Sequence, residues 1–229
     1  MKYDLSWSGG KDSTASIILA HENNIPIQQI NYCRIMWNKY IPADLPEMYD
    51  FTERAIKIFK SWGYQVNVIT PKTAVEIAFK RYVRSKTPER NGKYYGVTAF
   101  CRGHCVMTSC KQSALNKYNR KSIVGIAADE KERLERLGNN ISLLKEYNIT
   151  ERQTFDICRK YDLLSPLYDI PGLKRGGCFF CPNANKHEIM FIKDKYPKLY
   201  SLALSLVTMC DYDISKIYNN WYEEYKRGL

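Results

Sequence analysis

No apolar stretch in this chain approaches the ~18 residues that a membrane span requires, which excludes a helical membrane protein. The opening Met1-Lys2-Tyr3-Asp4-Leu5 lacks the apolar core of a signal peptide and runs directly into a strand-like segment. Glycine, at 12 residues, and proline, at 9, are too scarce for a fibrous repeat or a disordered chain. There is no internal repeat and no low-complexity tract. These absences leave a soluble globular protein, expected in the cytoplasm and without a membrane partner.

The 229 residues exceed the roughly 150 of a typical domain, so one α/β domain with a shorter appended segment is expected. Hydrophobic residues make up 45% and charged ones 26%, enough to build a real core. Lysine and arginine total 35 against 24 aspartate and glutamate, a net charge of +11 that attracts polyanions such as nucleotides or nucleic acid. The charges are scattered, so a basic solvated surface is an equally good reading of them. Eight cysteines in an intracellular chain point away from disulfides and, where clustered, toward metal ligation or catalysis. Cys33, Cys158 and Cys210 each stand alone and read as packing residues.

Tyr3, Leu5 and Trp7 alternate with polar residues, and a helical run from about Thr14 to Asn23 follows a Gly-Gly turn. The unit repeats. Ile27 to Ile35 predicts a second strand, and apolar residues at helical spacing after Pro46 predict a helix ended by Gly63. Tyr64 to Ile69 predicts a third strand, and Thr73 with Glu76 a capping box that opens a helix to about Arg84. Residues 85–103 predict a long loop, Cys105 to Tyr118 a helix, and Ser122 to Ala127 a short strand. Lys131 to Gly138 reads as an exposed helix or lid, and Thr150 with Gln153 caps a helix to about Tyr161. The alternation implies an α/β fold, a parallel twisted sheet with helices on both faces whose ligands bind beyond the carboxyl ends of the strands. Near residue 170 the pattern changes to a glycine- and cysteine-rich stretch followed by helices. The predicted division is therefore 1–170, a nucleotide-binding α/β domain, and 171–229, a small Cys-containing helical segment.

Ser8-Gly9-Gly10-Lys11-Asp12-Ser13 lies between the first strand and the first helix, where backbone N–H groups and the positive helix end can hold phosphate oxygens. The glycines allow close backbone approach, Lys11 supplies a point charge, and Ser8 and Ser13 offer hydroxyls. Asp12 either meets a magnesium ion or caps the helix. A Walker A loop is excluded: Leu5 stands where its first glycine belongs, and Asp12 where its serine or threonine belongs. SGGKDS after an N-terminal strand instead resembles the PP-loop of enzymes that split ATP between its α and β phosphates. Gly125-Ile126-Ala127-Ala128-Asp129-Glu130 is similar to the fourth-strand segment of the adenosine-phosphosulfate (APS/PAPS) reductase-like branch of that superfamily, and Arg175-Gly176-Gly177-Cys178-Phe179-Phe180-Cys181-Pro182 to its Cys-x-x-Cys-Pro segment. The resemblance spans nearly the whole chain. It implies the HUP-like, adenine nucleotide alpha hydrolase-like fold, with Ser8 to Ser13, Gly125, Asp129 and Glu130 at the nucleotide, Lys11 and Asp12 catalytic, and ATP with Mg2+ bound.

Cys101-x3-Cys105 and Cys178-x2-Cys181 are two close pairs of the kind that build a four-thiolate site where two loops meet. Cys110 competes for a position. If 105–110 is helical, five residues turn those two thiols about 140° apart, whereas Cys101 and Cys105 share a face. His104 can replace one thiolate at a zinc ion, though as a loop residue it reads first as polar surface; His21 and His187 read as solvent-facing. Arg84, Arg90, Arg102, Lys174 and Arg175 flank loops at the open end of the sheet. Spacing does not separate zinc from a four-iron four-sulfur cluster; the family resemblance implies the cluster, with Zn2+ as the alternative.

Sulfonucleotide reductases of this family carry a cysteine in a C-terminal Glu-Cys-Gly motif, whereas this chain has no cysteine after Cys210. The leading expectation is therefore ATP-dependent adenylation coupled to sulfur transfer, to a tRNA base or a small molecule. The alternatives are reduction of an adenylyl sulfate by an external thiol, and a nucleotide- or nucleic-acid-binding module with structural zinc, its tyrosine-rich C-terminal region contacting RNA or DNA. An adenine nucleotide, a sulfur donor or thiol reductant, and a second copy of the chain complete the expected partners.

Overall fold

The computed structural model describes residues 3–72, 74–76, 84, 86, 88–89, 91–92, 100–101, 104–105, 111, 114–116, 118, 121–173, 176–208 and 219–228, with backbone alone at 100–101, 104–105, 208 and 219. The chain divides into two compact units, each assembled from separate stretches: Met1–Arg34 with Pro46–Thr70 and Gln112–Gly176, and Ile35–Leu45 with Pro71–Lys111 and Gly177–Leu229.

The first unit is built on a four-stranded parallel sheet. Its strands are β1 (Tyr3–Trp7), β2 (Ile27–Cys33), β3 (Val66–Ile69) and, from later in the chain, β6 (Ser122–Ile123), in the order β3-β2-β1-β6. Helix α1 (Lys11–Glu22) links β1 to β2, and α2 (Pro46–Ser61) precedes β3. This is the α/β architecture that the strand-helix alternation predicts. At Ile30, Asn31, Tyr32 and Cys33 consecutive residues of β2 are buried. Neighbouring side chains on a strand point to opposite faces, so both faces of the sheet are covered there. Asp4, Gln29 and Asn67 form a polar rung across three strands: the Gln29 amide donates to Asp4 at 3.1 Å and the Asn67 amide to Gln29 at 2.7 Å. Because a one-residue slip would break that rung and turn every apolar side chain to the wrong face, it pins the register.

Trp7, at the carboxyl end of β1, is the centre of the core. Its ring packs 4.9 Å from Tyr32 and edge-on at 5.1 Å to Phe59, while its indole N–H donates to Thr14 of α1 at 2.9 Å. A buried tryptophan with its one donor satisfied fixes the helix to the strand that leads into it. α1 is buried on nearly all sides, Lys11 and every residue from Ser13 to Ala20, as suits a helix enclosed by other elements. α2 begins with Pro46, whose missing N–H and preset φ suit the first helical position. It ends before Gly63, whose φ of +89° an L-residue rarely adopts.

After β6 come the exposed helix α3 (Lys131–Glu135), α4 (Leu143–Glu146), α5 (Glu151–Lys160) and a 3-10 turn, Pro166–Asp169. α5 carries the predicted Thr150/Gln153 capping box with both reciprocal bonds made.

In the second unit Trp37 packs against Phe179 and Phe180 at 5.4 and 5.3 Å. The stretch 35–45 is joined to the cysteine turn by the Phe179 N–H, which donates to the Ala43 carbonyl at 2.9 Å. Helices α6 (Lys186–Lys195), α7 (Pro197–Thr208) and α8 (Asn219–Arg227) also belong to it. Strands β4 (Phe100–Cys101) and β5 (His104–Cys105) form an antiparallel hairpin. This corrects two expectations: residues 100–101 are strand where a loop was predicted, and Cys105 is strand where a helix was predicted to begin.

Candidate functional site

β1 lies between β2 and β6, so the connections from its neighbourhood leave in opposite directions and open a crevice at its carboxyl end. The Ser8–Ser13 loop occupies that position. Gly9 takes φ +80°, and a side chain there would collide with the Met48 methyl at 2.4 Å. Ser13 closes the loop. Its hydroxyl donates to the Gly10 carbonyl at 3.0 Å, so it must accept from the Ser8 N–H at 3.1 Å and the Ser8 hydroxyl at 3.0 Å. The Gly10 N–H in turn reaches the Ser8 hydroxyl at 3.3 Å. Gly10 stands at the N-cap of α1 and provides no side-chain cap, so the positive end of a 12-residue helix faces the loop.

The segment after β6 lies directly on this helix end. A Cβ at Gly125 would sit 2.3 Å from the Ser13 nitrogen and 2.6 Å from the Asp12 carbonyl carbon, both backbone atoms. Only glycine permits that approach. Together the two segments border an open cavity of about 300 Å³, lined by Ser6, Ser8 and Ser13, by Val124, Gly125 and Ile126, and by Arg133, Arg136, Leu137 and Asn140. Three serines and two arginines among the lining residues make it suited to an anion, Arg133 being also paired with Glu130 and Arg136 with Glu132.

Ser8, Ser13 and Gly125 meet at one cavity; Gly9, Gly10, Lys11, Asp12, Asp129 and Glu130 are not among the residues that line it. Lys11, only 6% exposed, places its ammonium 2.7 Å from Asp12 and 3.0 Å from Glu151, and 5.1 Å from the centre of the Phe155 ring. Burial alone would lower its pKa, but the bonds to Asp12 and Glu151 outweigh burial and hold it above the ordinary lysine value. Asp12 also accepts from the Thr154 hydroxyl at 3.0 Å. Asp129 accepts from the Glu151 N–H at 2.9 Å, and Glu130 accepts from the Ala127 N–H at 3.0 Å and pairs with Arg133. Asp129 thus holds the first residue of α5, while Glu130 shapes the turn into α3. The buried Cys158 thiol donates to the Lys11 carbonyl at 3.3 Å, and burial, with the charge of Asp12, pushes its pKa up to about 12. It is a protonated packing residue, and Cys33 is buried likewise.

Sequence reasoning missed Ser6, Arg133, Arg136, Glu151, Thr154 and Tyr168, the last of which receives the Lys11 N–H at 3.5 Å. Only the charge of the segment 131–138 signalled any of them. His21 is half-buried and stacks on Trp62 at 4.2 Å, which corrects its expected solvent-facing place; His187 is exposed.

In the second unit Cys178 and Cys181 are half-buried and lie on a tight turn closed by the Cys181 N–H on the Cys178 carbonyl at 2.9 Å. The Trp221 indole N–H secures the Cys181 carbonyl at 3.0 Å, and Phe179 and Phe180 between the cysteines are fully buried. Two thiols held three residues apart on a pinned turn suit two positions of a thiolate site. In the hairpin Cys101 pairs with His104 and Cys105 with Phe100, so the face-sharing expected of a helix does not apply to them. The described residues contain no group of three or more His, Cys, Asp or Glu able to hold a metal ion, Cys101 and Cys105 being described by backbone alone. Cys110, Cys210, Thr73, Arg90, Arg102, Lys174 and Arg175 lie outside the described residues.

No protein-family model matches the chain, and no curated protein matches it. Among solved structures it resembles the U34-tRNA thiolase NcsA from Methanococcus maripaludis with its 4Fe-4S cluster, at 14% identity and a TM-score of 0.42 over 91% of this chain and 71% of that one. Among the described residues no helix is long and apolar enough to cross a membrane.

Proposed function

We propose that this chain binds ATP with Mg2+ and adenylates an acceptor oxygen, preparing the attached carbon for sulfur transfer. The observation that carries the reading is the SGGKDS loop at the carboxyl end of the central strand, with Gly125 packed on the helix end and an anion-suited cavity beside it. The acceptor oxygen attacks the α-phosphorus, the bond to the bridging oxygen breaks, and pyrophosphate leaves. Sulfur then attacks the activated carbon, and AMP departs with the oxygen. The loop hydroxyls and the helix end stabilise charge that develops on the phosphates. The +11 charge favours a polyanionic acceptor, a tRNA, over a neutral small molecule.

Cys178 and Cys181, with Cys101 and Cys105, are the residues that would hold an iron–sulfur cluster, and such a cluster would supply a binding point for the sulfur to be transferred. Zinc in the same ligands is the alternative. The test is pyrophosphate release from ATP and Mg2+ in the presence of a full panel of tRNA, with mass analysis of the tRNA for an oxygen-to-sulfur exchange. No release with any acceptor refutes adenylation. Metal analysis of protein purified without oxygen tests the second part: stoichiometric iron and sulfide are expected, and a colourless protein with one zinc refutes the cluster.

A further inference from the structure

Lys11 is the one cation of the phosphate loop, yet its ammonium is held on Asp12 and Glu151 beside Phe155 and is not among the groups that line the cavity. The two carboxylates are not equivalent. Asp12 is the next residue in the chain, 22% exposed, and is tied by a second bond to the Thr154 hydroxyl. Glu151 comes from α5, is 58% exposed, and reaches the ammonium from the solvent side. Its backbone is fixed, through its own N–H on Asp129 and through the capping box that surrounds it, while its carboxylate is held only as firmly as a half-solvated ion pair can hold it.

We infer that Glu151 is a positioning residue for Lys11: its carboxylate holds the loop ammonium away from the cavity and competes for it with the phosphates of the bound nucleotide. The inference rests on the nucleotide reading above. A polyphosphate carries several negative charges against the carboxylate's one and can take its place on Lys11, whereas an uncharged nucleoside cannot. Glu151 thereby makes occupancy of the loop depend on the polyphosphate.

The test substitution is Glu151→Gln, which keeps the shape and removes the charge. A half-exposed ion pair is worth about 0.4–1 kcal/mol, which corresponds to a two- to five-fold change in either of two readouts. Calorimetric titration of the full chain should show ATP and inorganic pyrophosphate binding two- to five-fold more tightly to the variant, with adenosine unchanged. Trace acetic anhydride at mildly alkaline pH, read by mass spectrometry, should acylate Lys11 faster by a similar factor, because loss of the pair lowers its pKa and raises the neutral fraction. A merely structural Glu151 gives weaker binding of ATP and pyrophosphate on substitution, which overturns the inference, as does unchanged binding with unchanged acylation. If the wild-type protein binds neither ATP nor pyrophosphate while Glu151→Gln still accelerates acylation of Lys11, the nucleotide reading falls and the Glu151–Lys11 coupling stands.

Discussion

Replacing Gly125 with alanine adds one methyl group at the place where the segment after β6 meets the N-terminus of α1. The new carbon would lie 2.3 Å from the Ser13 nitrogen and 2.6 Å from the Asp12 carbonyl carbon and the Ser13 Cα. These are backbone atoms of a helix held by Trp7 through Thr14 and by the Ser8–Ser13 bonds, so no flexible side chain can yield. Ordinary contact requires a retreat of roughly 1 Å, and overpacking of this kind typically costs about 1–3 kcal/mol. A displacement of that size at a loop proposed to hold phosphate can reduce turnover about 100-fold. Denaturant unfolding and ATP titration of Gly125→Ala should therefore show both a lower midpoint and at least a ten-fold weaker Kd, on the order of 1.4 kcal/mol or more. Gly10→Ala is the contrast. Its Cβ would meet only the Ser8 hydroxyl at 3.4 Å and the Tyr168 hydroxyl at 3.7 Å, so its cost is confined to the N-cap preference, under about 1 kcal/mol. Wild-type stability and affinity in Gly125→Ala, or equal losses in the two variants, would refute the claim that close approach at Gly125 shapes the loop.

Thr150→Ala breaks the capping box of α5 and should lower stability by about 0.5–2 kcal/mol in urea unfolding, with Thr150→Ser close to wild type. Trp221→Phe removes the donor to the Cys181 carbonyl; metal content per chain is expected to fall, and full retention would show that the turn does not depend on that bond. Cys178→Ser and Cys181→Ser should each abolish stoichiometric metal binding if these thiols are ligands. Glu224, 7% exposed, is held below the ordinary carboxylate pKa first by its hydrogen bond to Lys193 and also by Tyr200 and Arg227. A group with a depressed folded-state pKa adds stability above the unfolded value near 4.5 and loses it as pH falls through the folded one. The stability gap between wild type and Glu224→Gln should therefore be largest near neutral pH and close in acid, as read from urea midpoints at several pH values.

The elements written in local signals were those the sequence determined by itself. Alternation in 3–7, Pro46 at a helix start, the Thr150/Gln153 box and the Gly-Gly turn before Lys11 each act over a few neighbouring residues, and the structure carries all of them. The hairpin at 100–105 was missed because two-residue strands carry no periodicity. Tertiary structure alone decided the rest. The strand order and the approach of Gly125 to Ser13 depend on pairing between β1 and a strand more than a hundred residues away, and no local pattern records which chain segment will supply that neighbour. The same holds for the Ser8–Ser13 loop: composition and spacing supplied its lysine, but the ammonium's partner Glu151 comes from a helix 140 positions later, where a solvent-exposed glutamate looks like any other until the fold brings it within 3.0 Å.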